Sequence, residues 1–401
     1  MRKDYLLTPG PTPLPPDVSL AMARPIIHHR TPRYRECFKQ AQQGLQYLFQ
    51  TSQPVLVFTA SGTGAMEAAV VNLCSPGEKA IVAQAGKFGE RWTKLCTAYG
   101  IEAIVVEAPY GQAIDPQAVK AALAKAGNAK AVFTTLCETS TGVVHDVQAI
   151  AKIAREAGAF SVVDAISGLG ADALPTDAWG IDVVVSGSQK GMMLPPGLAF
   201  ATISRRAWAA VEQSKSPRYY FDFRGYTKSL ADDDTPFTPA VPIVIAMVEA
   251  LRIIREEGLE SIINRHRQLA AATRAAMAAH GLALFSQRPS NAVTAVSVPA
   301  GVDGKALVKR LRDVYGVGLA GGQGEMEGKI FRFAHLGYIT LTDVLLAVST
   351  VEMALSEAGY KLTLGRGVAA AQEVFLAVGG QGARDQGQAV ASPVAARGKT
   401  R

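Results

Sequence analysis

Short apolar runs alternate with longer amphipathic stretches along the chain up to about residue 240. The apolar runs, rich in Val, Ile and Ala, predict strands at 55–59, 80–83, 103–107, 131–135, 161–164, 182–186 and 198–203. The stretches between them predict helices at 33–50, from 64, from 89, at 116–126 and at 147–157. Strands separated by helices of this length are typical of a mostly parallel sheet with right-handed crossovers. The pattern therefore predicts an α/β fold with a doubly wound sheet.

The pattern changes near residue 242, where shorter strands follow two long helical stretches. The predicted elements lie at 242–257, 259–280, 294–298, 304–314, 330–334 and 342–358 and indicate a smaller C-terminal α+β domain. At the N-terminus, the proline-rich segment 8–16 can form neither a regular helix nor a central strand. After the C-terminal domain, the composition turns to Gly, Ala, Gln and Arg, which allows only a frayed helix at 369–378. We therefore expect an extended arm (1–20), a large domain (21–241), a small domain (242–365) and a disordered tail (366–401).

Composition narrows the class of protein. A chain of 401 residues that is 48% hydrophobic and 19% charged fits a well-packed fold. The net charge of +7 is not gathered into Lys/Arg blocks with interleaved aromatics, so we expect no nucleic-acid partner. No apolar run approaches the ~18 residues of a membrane span, and the N-terminus lacks the apolar core of a signal peptide. The four cysteines are widely spaced, which predicts free thiols, no metal site and a cytoplasmic location.

Candidate chemistry lies where two neighbouring predicted strands end. Asp164 closes the strand at 161–164, and Lys190 follows the strand at 182–186. Ligands bind at the carboxyl ends of strands in an open α/β sheet, and a partly buried lysine becomes nucleophilic there. A lysine that holds an aldehyde, beside a carboxylate that keeps a pyridine nitrogen protonated, is what pyridoxal 5'-phosphate (PLP) requires. Alone, Lys190 would more simply be a solvated turn residue.

The expected phosphate site lies early in the sheet. Residues 59–67 follow a strand and open a helix, so backbone N–H groups and the hydroxyls of Ser61 and Thr63 can face an anion. The segment lacks the lysine of a P-loop and the third glycine of a dinucleotide fingerprint. It therefore predicts phosphate binding without a bound nucleotide.

Three further features suit a PLP site. Phe88 lies between two glycines and could stack on a planar ring, although a core position is an equal alternative. Residues 137–142 bring hydroxyl groups to the same sheet edge. Arg332 interrupts an apolar strand, where it could hold a carboxylate through two hydrogen bonds or could face water on an edge strand.

Six motifs in order resemble class V, fold-type I PLP aminotransferases. They are Leu7-Thr8-Pro9-Gly10-Pro11-Thr12, Ser61-Gly62-Thr63-Gly64, Glu138-Thr139-Ser140-Thr141-Gly142, Val163-Asp164-Ala165-Ile166-Ser167, Ser186-Gly187-Ser188-Gln189-Lys190 and Gly328-Lys329-Ile330-Phe331-Arg332. The set covers about residues 5–360 and most resembles alanine–glyoxylate, serine–glyoxylate and serine–pyruvate aminotransferases. The resemblance implies a large domain with a doubly wound sheet and a smaller C-terminal domain.

The resemblance assigns residues to the cofactor. It implies that Lys190 links to the aldehyde and that Asp164 faces the ring nitrogen. The remaining expected cofactor contacts are Ser61, Gly62, Thr63 and Gln189 at the phosphate, Phe88 on the ring face, Thr139 near the phenolic oxygen, and Ile166. The family often has Trp where this chain has Phe88, which is a weaker stacking partner.

The resemblance also assigns a substrate residue and a partner. Arg332 matches the arginine that binds the substrate carboxylate. Thr238 matches a hydroxyl that reaches the phosphate from the other subunit, so a homodimer with shared active sites is implied. Some relatives add a tyrosine three residues earlier, but this chain has Thr235 there.

We therefore expect ping-pong transfer of an amino group from alanine or serine to glyoxylate or pyruvate. Aspartate stays open as a donor. A PLP-dependent lyase and a non-catalytic binding subunit are the alternatives. A cysteine desulfurase is disfavoured, because it needs a cysteine well after the lysine and the last cysteine here is Cys137.

Overall fold

The protein is described by a computed structural model that covers residues 3–387. Its strands are β1 (Tyr5–Leu6), β2 (Val55–Phe58), β3 (Lys79–Gln84), β4 (Glu102–Glu107), β5 (Ala131–Thr135), β6 (Cys137–Glu138), β7 (Val143–Val144), β8 (Phe160–Asp164), β9 (Val183–Gly187), β10 (Ala199–Ile203), β11 (Val293–Ser297), β12 (Val317–Gly318), β13 (Ala320–Gly321) and β14 (Ile330–Ala334). Its helices are α1 (Pro16–Met22), α2 (Pro32–Phe49), α3 (Gly62–Leu73), α4 (Lys87–Ala98), α5 (Pro116–Ala126), α6 (Val147–Glu156), α7 (Trp208–Gln213), α8 (Phe223–Leu230), α9 (Val241–Glu257), α10 (Leu259–Ala279), α11 (Gly304–Asp313), α12 (Leu341–Glu357) and α13 (Arg366–Gly387).

Seven strands form the central sheet in the order β2-β10-β9-β8-β5-β3-β4. Neighbours pair in parallel except β10, which runs antiparallel to β2 and β9. Six of the strands are mostly buried on both faces, as a covered parallel sheet requires, while the edge strand β4 is partly exposed. In β9, Val183 and Val185 pack into one core while Val184 packs into the core on the opposite face. The predicted α/β fold with a mostly parallel sheet is confirmed.

A second, three-stranded antiparallel sheet has the order β11-β14-β13. Its core combines Phe331 and Phe333 of β14 with Leu311 of α11 and Val348 of α12. The N-terminal segment joins this region, because β1 pairs in parallel with β12. The two sheets match the two predicted regions, and the boundary between residues 241 and 242 stays a prediction.

Residues 366–387 form α13, which is longer than the frayed helix expected at 369–378 in an otherwise disordered tail. The Glu352 carboxylate accepts the backbone N–H groups of Gly365 and Gly367, both at 2.7 Å, and so caps the start of this helix. Ala371 is fully buried against the apolar face of α10 and α12. The composition of residues 366–387 could not indicate this helix, because the carboxylate that caps it belongs to Glu352 of α12. The last 14 residues, 388–401, lie outside the described part of the chain.

The predicted arm also ends earlier than expected. Residues 16–20 belong to α1, which begins at Pro16, a position where proline costs no hydrogen bond. Val18 and Ala21 bury this helix against the core. Across residues 3–387, no helix combines the length and apolar character needed to span a membrane.

Candidate active site

A cavity with an empty volume of about 460 Å³, counted with its open mouth, lies at the carboxyl edge of the central sheet. It brings together every site residue expected from the sequence except Thr238 and Arg332. Its lining consists of Ser61, Gly62, Thr63, Phe88, Arg91, Cys137, Thr139, Asp164, Ile166, Ser167, Gln189 and Lys190. The lining residues come from the last residue of β8 and from the segments that follow β2, β3, β5, β8 and β9, and these segments therefore converge on one space.

Asp164 and Lys190 reach the cavity from adjacent parallel strands. Asp164 is the last residue of β8 and pairs with Val185 of β9, whose end leads into Lys190. The Asp164 Oδ1 accepts the Ile166 N–H at 2.8 Å, but burial raises the pKa of the carboxyl to about 7. Burial lowers the pKa of the Lys190 amine to about 8. Both groups therefore exchange protons near neutral pH.

The start of α3 forms the other wall of the cavity. Ser61 is the extended residue before the helix, so the first backbone N–H groups of α3 point toward the space. Gly62 permits a close approach, because a Cβ atom there would lie 2.5 Å from Ile166 Cδ1. Gln189 Oε1 is buried and has no hydrogen-bond partner among the described residues. These groups could together hold an anion.

Phe88 borders the cavity on the first turn of α4, and a buried carboxylate fixes that turn. Glu138 is fully buried and accepts the N–H groups of Phe88 at 3.1 Å and Gly89 at 2.9 Å. It also accepts the Ser140 N–H at 3.1 Å. Burial raises the pKa of Glu138, and these hydrogen bonds oppose that rise. Our sequence analysis placed Glu138 in a motif but did not assign it this role.

Arg91 is a second residue that the sequence analysis missed. Its guanidinium donates to Thr63 Oγ1 at 3.0 Å and lies 5.0 Å from the centre of the Phe88 ring. It follows Phe88 by three residues on α4, so both side chains project from the same helix face. That spacing was the available sequence signal. The positive charge of Arg91 also lowers the pKa of Asp164.

Arg332 lies just beyond the cavity lining in β14. It is buried, donates through Nε at 3.0 Å and Nη2 at 2.6 Å to the Gly321 carbonyl, and donates through Nη1 at 2.6 Å to the Thr139 carbonyl. Thr139 Oγ1 donates to Ser167 Oγ at 2.6 Å inside the cavity. Burial lowers the pKa of Arg332 to about 10, although the nearby negative charge of Glu138 acts to raise it. The water-facing alternative is therefore wrong.

Thr238 is not brought to the cavity within its own chain. It lies exposed in the loop between α8 and α9. Asp234, four residues earlier, is held by an ion pair with Arg30 at 2.7 Å. The contact of Thr238 with another subunit stays a prediction.

A match to a protein-family model identifies the family of the chain. The model described as aminotransferase class-V matches residues 4–328. The chain belongs to the class-V aminotransferases. The predicted resemblance is confirmed, and the chain is a transaminase whose class depends on PLP.

Two curated relatives resemble this aminotransferase over most of its length. The soluble hydrogenase small subunit of Synechococcus sp. is 44% identical over 379 residues, which covers 93% of this chain and 98% of the relative. The L-aspartate–glyoxylate aminotransferase of Paracoccus denitrificans is 36% identical over 378 residues, covering 92% and 96% respectively. The two names describe different roles for chains that share this sequence pattern.

A solved structure confirms the fold. Pyridoxamine–pyruvate aminotransferase from Mesorhizobium loti superposes with a TM-score of 0.90 at 29% identity, covering 94% of this chain and 98% of that chain. The predicted fold-type I architecture is thereby confirmed.

The cavity fits PLP on three independent observations. The start of α3 offers free N–H groups to a phosphate. Gln189 Oε1 has no hydrogen-bond partner among the described residues, so the side-chain amide can turn its Nε2 toward the same anion. Asp164 carries a buried carboxyl with a raised pKa, and a protonated ring nitrogen would supply a positive partner for its carboxylate form. The site therefore suits a flat, phosphorylated pyridine.

Proposed function

We propose that this aminotransferase moves the amino group of a small L-amino acid, alanine or serine, to glyoxylate or pyruvate. The motif resemblance supports the small donors. The names of the relatives support the acceptors, because one contains glyoxylate and the other pyruvate. The same aspartate–glyoxylate relative makes aspartate the competing donor.

One observation carries the proposal. Lys190 and Asp164 face a single cavity from adjacent strand ends, and each has a pKa shifted by burial toward neutrality. We propose that Lys190 links to the PLP aldehyde and that Asp164 binds the ring nitrogen. When bound, PLP supplies the electron sink that makes the Cα–H bond of an amino acid acidic.

Arg332 is the proposed carboxylate site. A guanidinium has five N–H donors, and the backbone carbonyls of Gly321 and Thr139 use three of them. One N–H remains on each terminal nitrogen, which is the pair that a carboxylate binds through two hydrogen bonds. The carbonyl contacts also fix the plane of the guanidinium before a substrate arrives. Little side-chain entropy is then lost on binding.

Lys190 is the proposed proton carrier. As a neutral amine its Nζ can take the Cα proton of the amino acid and return it on the same side of the site. A pKa near 8 gives a substantial neutral fraction at physiological pH, whereas an ordinary lysine has almost none. Burial of the surrounding residues keeps bulk water from competing for this proton.

We further propose that the chain acts as a homodimer with Thr238 contributing to the partner's site. The exposure of this loop residue in its own chain supports the idea. Co-expressed hybrids test it: Lys190→Ala in one subunit and Thr238→Arg in the other leave one site with both native groups. We expect the hybrid to regain activity that neither variant has alone. An inactive hybrid of normal size would contradict shared sites.

A reducing cytoplasm is the proposed location. All four cysteines are free thiols, and three of them are buried. One of the three buried cysteines is Cys137, and burial raises the pKa of its thiol. Such thiols need no oxidising compartment.

The competing role is a non-catalytic subunit, which the name of the 44% identical relative suggests. A PLP-dependent lyase is a second alternative that would retain Lys190 and Asp164. Initial rates separate the three roles. With each donor paired with glyoxylate or pyruvate, a transaminase gives parallel double-reciprocal lines and equal amounts of both products. A lyase forms product without an acceptor, and a subunit forms none.

A further inference from the structure

The N-terminal arm, residues 5–12, is hydrogen-bonded at its outer end to β12 and to the last residue of β14. The Tyr5 N–H donates to the Gly316 carbonyl at 2.7 Å, and the Leu7 N–H donates to the Gly318 carbonyl at 3.0 Å. The Leu7 carbonyl accepts the Ala334 N–H at 3.2 Å. Ala334 ends β14, two residues after Arg332. The arm is therefore attached to the strand that carries the proposed carboxylate site.

The inner end of the arm makes two hydrogen bonds to Lys190 and one to its neighbour Gln189. The Pro9 carbonyl accepts a hydrogen bond from Lys190 Nζ. Thr12 Oγ1 donates to the Lys190 carbonyl at 3.1 Å, and the Thr12 N–H donates to the Gln189 carbonyl at 3.2 Å. Both the backbone and the amine of the lysine are thus bound by one short segment.

Gly10 allows this close approach. Its φ of +135° lies in a region that L side chains rarely adopt, and a Cβ atom there would lie 2.7 Å from Lys190 Cδ and nearer still to Nζ. A side chain at position 10 would push the amine away from the Pro9 carbonyl. Gly10 therefore leaves the space in which the Lys190 amine can reach the Pro9 carbonyl.

The hydrogen bond from Lys190 Nζ to the Pro9 carbonyl has a chemical consequence for the amine. A neutral amine has two hydrogens and one lone pair, so donating one hydrogen to Pro9 restricts the lone pair to the two remaining positions on the nitrogen. The titratable groups that act on Lys190 are Cys137, Asp164, Arg332 and Arg91, and burial outweighs their combined effect on its pKa. The Pro9 carbonyl is a neutral acceptor that also stabilises the ammonium form.

We propose that the arm is a positioning segment, in which the Pro9 carbonyl holds the Lys190 amine whenever the amine carries no covalent link. This inference rests on the proposed role of Lys190. Through Leu7 and Ala334 the same segment connects the amine to the strand of Arg332. No assignment from the family resemblance gave the arm a part in the reaction.

Competitive acylation of the full-length, cofactor-free protein tests the proposal without any turnover. Acetic anhydride labels the neutral amine of Lys190, and mass spectrometry gives the labelled fraction against pH. We expect a midpoint near 8 for the unchanged protein. Gly10→Ala should lower the midpoint by about one pH unit, because the ammonium form loses its acceptor. Gly77→Ala is the matched control, since Gly77 also has a positive φ but has open space around it.

A second set of variants keeps the test decisive if Gly10→Ala fails to fold. Thr12→Val removes the hydroxyl that binds the Lys190 carbonyl, and Thr12→Ser restores it. We expect kcat to fall about tenfold in Thr12→Val, with KM nearly unchanged, and to recover in Thr12→Ser. A chain without residues 1–6 should shift the acylation midpoint in the same direction as Gly10→Ala, although it removes no contact with Lys190.

The outcomes are separable from the proposed function. An unchanged midpoint in folded Gly10→Ala, or equal kcat in Thr12→Val and Thr12→Ser, overturns the positioning role of the arm. A wild-type protein that transfers no amino group overturns the proposed substrates, while the acylation midpoints still report on the arm.

Discussion

The Glu138 carboxylate accepts the backbone N–H of Gly89 at 2.9 Å, across a separation of 49 residues in the chain. It also accepts the Phe88 N–H, so a fully buried side chain from β6 caps the helix that carries the aromatic ring. The residue that precedes α4, Gly86, has no side chain to do this. The position of Phe88 over the cavity therefore depends on Glu138.

Glu138→Gln tests whether the capping hydrogen bonds of Glu138 are needed to hold Phe88 in place. The amide retains one acceptor oxygen and adds an N–H₂ group that cannot accept from Phe88, Gly89 or Ser140. Leaving one or two buried N–H groups unpaired should lower the free energy of unfolding by about 2–4 kcal/mol. We also expect PLP affinity to fall about tenfold, because the ring loses its fixed neighbour. Urea unfolding and a PLP titration measure the two effects.

Glu102→Gln is the control for that substitution, because Glu102 is exposed on β4. It should change neither quantity. A Glu138→Gln protein with normal PLP affinity would show that Phe88 keeps its place without the cap.

Arg332→Lys tests the proposed carboxylate site. Lysine carries the charge but cannot replace the paired N–H donors, so the donor KM should rise about 10- to 100-fold. PLP affinity should stay unchanged, since Arg332 lies outside the cavity lining. Arg265→Lys, at an ion pair with Glu257, is the matched control. An unchanged donor KM in Arg332→Lys would assign the substrate carboxylate to another group.

Asp164→Asn should alter how stability depends on pH in the cofactor-free protein. Burial raises the pKa of Asp164 from 3.8 to about 7, so between these values the folded state keeps a proton that the unfolded state has released. The stability contributed by this group therefore falls as pH rises through that window. Asparagine does not titrate, so the variant should be about 2–4 kcal/mol more stable than wild type at pH about 8.

The measurement for Asp164 is urea unfolding at several pH values. The stability difference between Asp164→Asn and wild type should be smallest near pH 4 and should reach its full value above pH 7. A difference that is constant with pH would mean that Asp164 titrates normally in the folded protein.

Sequence patterns predicted the elements that depend on local periodicity. The strand 131–135, the strand 330–334 and the helix 116–126 have the predicted bounds in the structure. Most of the cavity lining was also expected from the sequence, because the carboxyl ends of parallel strands meet at one edge, but Arg91, Cys137 and Ser167 were not assigned to it. These successes depend on short-range patterns and on sheet topology.

Contacts between distant segments could not be predicted in the same way. Glu352 anchors α13 from another helix, and Glu138 caps α4 from another strand. Neither relation leaves a periodic signal in the sequence. Arg91 was missed for a different reason, since its role depends on the neighbouring α3 and not on its own helix alone.

Arg91→Gln tests the charge beside the expected phosphate site at the start of α3. Because Thr63 Oγ1 accepts a hydrogen bond from Arg91, the hydroxyl hydrogen of Thr63 stays free for an anion. Removing the guanidinium should weaken PLP binding about tenfold and should affect pyridoxal, which lacks the phosphate, much less. Lys94→Gln, exposed on the same helix, is the control. Equal losses for both ligands would place Arg91 at the ring and not at the phosphate.

The visible absorption spectrum of the purified protein, recorded with PLP and then with alanine, serine or aspartate, tests the central claim most directly. The account predicts a band at about 410–430 nm that one small donor converts to a band near about 330 nm and that glyoxylate or pyruvate restores. The Lys190→Ala variant should not show the band at about 410–430 nm that the wild-type protein shows. A protein that stays colourless with PLP, or a band that no amino acid changes, would contradict the account.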